Sequence, residues 1–267
     1  MTGVQTCALP IFHRISQWSK IHGLLINPIK TQAIVIGSQR LLSRLSLVDL
    51  PQINVNGTSV TFSSTVKDLG LLIDQNLTWR PQVNEISRKL YSRSIHSLKR
   101  LQNFISLQTK VYLCQTLLLP ILDYGDVCYP DLNEDLLTKL ERLQNLCIRY
   151  IFGLRKFYDV SEFRSRLNWV GIRDRRNIHA LTLLFNIIHN PNSPSYITSR
   201  FTFLSSHKMQ LRSQNDSILM IPKHSSSFYG QSFTVTATRM WNELYREIRN
   251  SPSANVFKNC LKINHLT

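Results

Sequence analysis

Asp123 and Asp126 flank Tyr124-Gly125, a spacing that would suit a metal-binding carboxylate pair. The same residues follow Pro120, and Asp and Gly are what a helix-terminating turn selects. The turn is the stronger reading. No Asp-Asp pair occurs in the chain. A two-metal phosphoryl-transfer site needs carboxylates converging on ions roughly 3.5–4 Å apart, and no such set is visible. Gly-x-Ser-x-Gly and His-Glu-x-x-His are both absent, which removes the nucleophile-elbow and helical zinc-hydrolase patterns. The eight histidines are scattered and read as surface or packing residues.

The cations are more informative. Lys89, Arg93, His96 and Arg100 recur at +4, +3 and +4, which places them on one stripe of a helix. Such a stripe is ordinarily a solvated face. Here, however, Glu85 is the only acid between residues 75 and 122. The whole chain has 32 Lys+Arg against 16 Asp+Glu, a net charge of +16 and a pI near 10.0. That balance favours polyanions, meaning nucleic acid or an acidic membrane face. Residues 1–160 and 161–267 both carry a basic excess, so no short polybasic tail accounts for it.

Five cysteines, at 7, 114, 128, 147 and 260, form no Cys-x-x-Cys. Three of them fall among apolar helical residues, where free thiols pack as small hydrophobes. A reduced intracellular setting, nuclear or cytoplasmic, is expected, and a zinc site is not. No apolar run approaches the roughly 18–20 residues that span a bilayer.

The elements that must position these groups are organised around 53–79, INVNGTSVTFSSTVKDLGLLIDQNLTW. Asn56-Gly57 between β-prone runs predicts a hairpin, since both central residues need φ > 0. Lys67-Asp68-Leu69-Gly70 predicts a turn, and Leu69–Ile73 a strand after it. Upstream, a helix is expected from His13 to Gly23, with Ile15, Trp18 and Ile21 at three-residue spacing. Short strands are expected at Leu24–Ile26 and Ala33–Ile36, with Asn27-Pro28 putting Lys30 on the loop between them.

Downstream the pattern is helical. Val83, Ile86, Leu90, Leu98, Leu101 and Ile105 mark one buried face, imperfect around Ser94 and Ile95. Ser106 should cap a second helix, which Pro120 kinks or ends. Asp131-Leu132-Asn133-Glu134 resembles a capping box opening a third, which Gly153 stops. Further helices are expected near Ser161–Leu167, Arg173–His189, Phe233–Arg249 and from Ser253 to about Ile263. A single strand is expected at Ile218–Ile221.

Several of these segments resemble, in order, the reverse transcriptases of non-LTR (LINE-type) retrotransposons. Trp18…Gly23-Leu24…Asn27-Pro28-Ile29-Lys30-Thr31…Ile36-Gly37, then Val55-Asn56-Gly57, Lys67-Asp68-Leu69-Gly70…Ile73-Asp74…Leu77-Thr78-Trp79, are similar to the end of that family's palm. Leu117 to Pro120, Leu122-Asp123-Tyr124-Gly125 and Leu140…Leu143-Gln144…Arg149…Ile151…Gly153 are similar to its thumb. Trp169…Arg173, Ser232-Phe233…Trp241-Asn242 and Phe257-Lys258…Leu261-Lys262 resemble the region after the thumb in the CR1- and jockey-like groups.

The resemblance implies an α+β, mostly α fold: a small antiparallel palm remnant (12–79), a helical thumb (80–158) and a basic helical C-terminal region (159–267) with a linker at about 190–231. It implies RNA and DNA partners, as a primer–template duplex, and Mg²⁺ in the full-length family. Lys30 would be the lysine after the catalytic strands, a general acid for the departing pyrophosphate. Asp68, Leu69 and Gly70 would form the primer grip, and Lys89, Arg93 and Arg100 would face the duplex.

The chain also departs from the family. Its catalytic Tyr/Phe-Ala-Asp-Asp motif and first metal-binding Asp belong upstream of Trp18, and neither is present. Glu243-Leu244-Tyr245 follows Trp241-Asn242 where Leu-Pro is usual. Residues 1–11, MTGVQTCALPI, resemble a translated sequencing adapter, so they are expected to be a disordered artefact at an upstream cut. The expectation is a fragment that binds nucleic acid, holds no metal and is inert alone. The rival is a freestanding basic helical module, nucleic-acid-binding or scaffolding. An Ala-Asp-Asp strand in the frame upstream of Phe12 would separate the two.

Overall fold

The computed structural model describes residues 8–45, 50, 52–55, 57–204 and 217–266, without the side chains of 8–12, 92–94 and 264–266. Helices dominate, beside two antiparallel sheets of two strands each, the α+β, mostly α class expected. The chain divides into two compact units, Met1–Asn84 and Glu85–Thr267.

In the first unit α1 (Ala8–Ile21) begins before the expected His13 and takes in residues 8–11. Gly23, at φ +69°, ends it. Ile15, Trp18 and Ile21 lie exposed, and Trp18 stacks on His22 at 4.3 Å. The strands expected at Leu24–Ile26 and Ala33–Ile36 do not form. Instead the Ile29 amide donates to Asn27 Oδ1 at 3.0 Å and Pro28–Lys30 closes into a 3₁₀ turn. The Asn side chain offers the backbone a local acceptor, and Pro28 has no N–H to give a ladder. Ala33 makes a single parallel bridge, to Phe62. A one-turn helix, α2 (Gln39–Leu42), is capped by Ser38.

Two hairpins come next. β1 (Ile53–Val55) pairs with β2 (Thr58–Val60), Val55 opposite Thr58. Gly57 has φ +81°; Asn56 lies outside the described residues. β3 (Thr65–Asp68) pairs with β4 (Leu71–Asp74), Asp68 opposite Leu71. Leu69 and Gly70 form the tip at φ +43° and +92°, as a two-residue turn between twisted strands demands. The strand expected from Leu69 therefore starts at Leu71, and β3 is an element the sequence did not announce.

Asp74 then redirects the chain. The buried carboxylate accepts from the Thr78 amide at 3.0 Å, the Thr78 hydroxyl at 3.0 Å and the Trp79 amide at 2.9 Å. Leu77 and Trp79 are held at positive φ. The Leu72 amide donates to buried Gln82 at 2.9 Å, so a helix side chain satisfies a donor of β4.

The second unit is helical throughout. The helix after Trp79 runs as α3 (Arg80–Arg88), a π-helical segment (Lys89–Ile95) and α4 (His96–Leu101). The His96 amide donates to Tyr91, five residues back. That wider spacing resolves the flaw at 94–95: Ile95 is buried at 2% exposure, and Leu101, expected inside, is 50% exposed. The next helix repeats the device. Ser106 caps α5 (Leu107–Leu113), a π-helical segment (Cys114–Leu118) continues it, and α6 (Leu119–Asp123) carries the chain past Pro120. A π turn and a proline are both recognised causes of local helix distortion.

The cap of α7 (Glu134–Phe152) is Asn133, not Asp131. Asn133 is extended at ψ 160° and Leu136 donates to its Oδ1 at 3.0 Å, so Asp131 sits too early to reach. Gly153, at φ +68°, stops the helix. Leu136, Leu140, Leu143, Cys147 and Ile151 are buried as expected. Then come α8 (Ser161–Arg166), the Asn168 turn at φ +52°, α9 (Ile172–His189) and the single turn α10 (Ser195–Thr198).

The strand expected at Ile218–Ile221 reduces to one bridge, Phe203 to Leu219. After the single turn α11 (Ser227–Gly230), the expected helix 233–249 splits into α12 (Phe233–Glu243) and α13 (Arg246–Arg249). The break has a local cause. The Asn242 carbonyl, which a continuing helix would give to the Arg246 amide, accepts from Arg249 Nη1 at 3.1 Å. Ser253 caps α14 (Ala254–Leu266), which outruns the expected Ile263. Leu184, Phe185, Leu219, Trp241, Phe257 and Leu261 form the core here, with the Phe185 and Phe257 rings stacked at 4.6 Å. Each fully buried side chain of this size is worth about 1.5–3 kcal/mol.

Candidate nucleic-acid interface

The basic residues of the second unit sort by whether the fold already uses them. The first half of α9 looks, as Arg173-Asp174-Arg175-Arg176, like a polyanion-binding run. Its arginines are committed to helix packing. Arg173 pairs with Glu134 at 2.7 Å. Arg175 grips Asp123 through two hydrogen bonds, Nε at 2.6 Å. Arg176, nine-tenths buried, donates to the Asp126 carbonyl at 3.0 Å and stands 4.7 Å over the Tyr129 ring. Arg164 of α8 donates to Glu141 and to Asn145. These are tethers: α9 is bound to the turn after α6 and to α7.

Sequence alone left Asp123 and Asp126 in a turn. His179, which it did not connect to them, completes a cluster whose ligand atoms lie within 4.8 Å of one another. The cluster does not fit Mg²⁺, which wants near-octahedral oxygens and keeps several waters. Asp123 is spanned by the Arg175 guanidinium, and Asp126 accepts from His179 at 2.6 Å. Burial works against the charge of Arg175, yet its hydrogen bond to Asp123 and the charges of Asp123 and Asp126 raise its pKa above the ordinary value. The carboxylates therefore serve an arginine, and no metal-dependent step is assigned to them.

A different set of cations remains uncommitted. Lys99 (α4), Arg142 and Arg149 (α7) and Lys156 (the turn after Gly153) line a groove of about 770 Å³ with Tyr91, Tyr150 and Phe157. No carboxylate lines it. Among the described residues none of the four cations is in an ion pair. Lys99, Arg142 and Lys156 are exposed, and Phe157 is 91% exposed. Lys156 Nζ stands 5.3 Å over the Phe157 ring, a cation–π contact at the rim.

The base of the groove is rigid. Tyr150 is buried, and its phenol is pushed above the ordinary range by burial and then by Cys114. Gln102 donates to the Tyr150 carbonyl at 3.3 Å, and Arg149 to the Tyr158 carbonyl at 3.1 Å. A positive groove with aromatic faces at its edge can hold a phosphodiester backbone while bases stack beside it.

The residues singled out from sequence are spread over both units. Lys30 is exposed at the end of the 3₁₀ turn, on a loop as expected. Asp68, Leu69 and Gly70 sit at the β3–β4 tip, with Leu69 86% exposed. Lys89 lies 3.8 Å from Glu85, which also pairs with Arg88 at 2.8 Å, so its charge is shared. The side chain of Arg93 lies outside the described residues. Arg100 is exposed but does not line the groove, whereas its neighbour Lys99 does. One signal could have located the groove earlier: Arg155-Lys156-Phe157-Tyr158, a basic–aromatic run directly after the Gly153 stop.

Comparison with known proteins places the chain in the neighbourhood of mobile-element reverse transcriptases. It is similar to the RNA-directed DNA polymerase from mobile element jockey of Drosophila funebris. The two are 27% identical over 147 residues, 54% of this chain. The match spans 16% of that protein's length. No family model matches, and no solved structure matches. No helix among the described residues is long and apolar enough to cross a membrane.

Proposed function

We propose that this chain is a nucleic-acid-binding piece of a non-LTR retrotransposon reverse transcriptase, and that the Lys99–Arg142–Arg149–Lys156 groove carries the phosphate backbone of a primer–template duplex. The observation that carries this is the contrast among cations. The arginines of α9 are neutralised by Glu134 and Asp123 or buried, while those of the groove face solvent with no acid among them. Distant similarity to an RNA-directed DNA polymerase supplies the polymer. In this reading residues 80–158 act as the thumb, closing on the duplex. The β3–β4 tip at Asp68-Leu69-Gly70 acts as the primer grip, and Lys30 serves the pyrophosphate end of the site.

The same reading makes the chain inert on its own. Its two clustered aspartates are spent on Arg175 and His179, so the carboxylates and Mg²⁺ of the parent enzyme come from elsewhere. Fluorescence anisotropy with an RNA–DNA hybrid, a DNA duplex and heparin as competitor tests binding. Saturable, salt-sensitive binding of both nucleic acids is expected; none at low salt would refute the reading. A primer-extension assay with Mg²⁺ tests inertness, and templated synthesis by the purified chain would overturn it.

A further inference from the structure

A second cavity lies apart from the groove. His189 of α9, Ser217, Trp241 of α12, Arg246 and Arg249 of α13 and Asn250 line it with Phe203, enclosing about 220 Å³. One water needs only about 10–15 Å³ measured this way, so the space admits a small ion with its hydration. No carboxylate lines it.

Arg249 is the unusual member. It is 4% exposed, and its Nη1 donates to the Asn242 carbonyl at 3.1 Å. Its Nε has no hydrogen-bond partner among the described residues, nor has the hydroxyl of Ser217. Among those residues Arg249 is in no ion pair. A buried cation is costly unless a counter-charge meets it. Its surroundings show that cost: burial, and then Arg246, push the guanidinium below its ordinary pKa, with Glu247 opposing. The walls are held. Trp241 Nε1 donates to the Ser217 carbonyl at 2.8 Å, and the Asn242 side chain and the Leu219 backbone exchange hydrogen bonds at 2.8 and 3.0 Å. His189 Nδ1 is engaged by the Phe185 carbonyl at 2.9 Å, which leaves its Nε2 for another partner.

We propose that this cavity is an anion site that takes a phosphate group, inorganic phosphate or a terminal phosphate monoester, between Arg249 and Arg246 with the Ser217 hydroxyl and His189 beside it. Planar guanidinium forks match phosphate geometry, and a donor-rich, acid-free pocket selects an oxyanion. A terminal group fits the volume better than an internal phosphodiester, which brings a nucleoside on each side. The site stands on residues separate from the groove and does not depend on the polymerase reading.

The test is isothermal titration of the full chain with sodium phosphate against sodium chloride at matched ionic strength. Saturable binding of phosphate at one site is expected. Arg249→Gln should weaken it at least tenfold and Arg246→Gln severalfold, while the groove variant Lys99→Gln/Arg142→Gln leaves it unchanged. Because Arg249 is buried, circular dichroism accompanies its variant, and Arg246→Gln on the exposed rim carries the test if Arg249→Gln unfolds. Competition by a 5′-phosphorylated oligonucleotide, and not by its 5′-hydroxyl counterpart, would name a strand terminus as the source; failure of both to compete would name the free ion.

Asp216 precedes Ser217 in the sequence, outside the described residues. Phosphate binding by Asp216→Asn but not by the unaltered chain would make that carboxylate the occupant and overturn the proposal. So would the absence of saturable binding in both, or binding indifferent to both arginine variants.

Discussion

Replacing Lys99 and Arg142 with glutamine removes two of the groove's cations without touching its buried base. Each phosphate neutralised on B-DNA contributes about 0.9 to the slope of log K against log salt, so four contacts give a slope near ~3.6 and a roughly 150-fold loss of affinity from 50 to 200 mM salt. With two contacts left the slope should fall to about 1.8 and the loss to roughly 12-fold. The assay is fluorescence anisotropy of a labelled duplex across that salt range, with circular dichroism to show that the helices persist. A variant that binds more weakly but keeps the parent slope would refute the reasoning, since the lost side chains would then not have displaced counterions. Reversing Lys89, Arg93 and Arg100 to Glu is the companion experiment. Lys89 already shares Glu85 and Arg100 lies off the groove, so that variant should flatten the slope less.

Leu69→Gly should leave the chain as stable or stabilise it by up to about 1 kcal/mol, because a left-handed non-Gly residue costs roughly 1–2 kcal/mol and glycine returns part of that as chain entropy. Urea denaturation of the two chains would show it, and a clear loss of stability would mean that the leucine side chain holds the tip. Asp123→Asn should destabilise by about 1–3 kcal/mol by weakening the charge-assisted bonds to Arg175, read as a fall in the denaturation midpoint; no change would make the pair a surface ornament. Cys114 and Cys147 are fully buried, and the Cys147 thiol is pushed well above its ordinary pKa by the Cys114 hydrogen bond and by burial. Iodoacetamide at pH 8 should therefore modify Cys128 well before either, as mass spectrometry of timed digests can track; equal rates would place those thiols within reach of solvent.

What was legible in the sequence was what backbone chemistry alone decides. Ser106, Gly153 and the turn at Leu69-Gly70 lie where the chain announced them, because a cap or a positive φ depends on a few adjacent residues. The misreadings share a cause too. Asn27 and Pro28 outbid β-propensity for the strands around Lys30, and Arg249 took the carbonyl that would have continued α12. Neither competitor belongs to the apolar pattern from which those elements were inferred. The groove was least legible because Tyr91, Lys99, Arg142 and Lys156 come from separate elements and have no common period. Conversely, the arginines of α9 looked free until their partners Glu134 and Asp123, far off in sequence, came into contact.

The π-helical segment between α3 and α4 also sets the angular phase of everything after it. An α-helix turns about 100° per residue, so removing one residue from Lys89–Ile95 and closing the gap as plain α-helix would swing Lys99 and Gln102 about that far around the axis. Gln102 would leave the Tyr150 carbonyl, and Lys99 would leave Arg142 and Lys156. The extra residue thus works as a spacer in angle rather than in length. Such insertions are often found at functional sites. Here it makes the groove's composition depend on residue count in a stretch that contributes only Tyr91 to its walls.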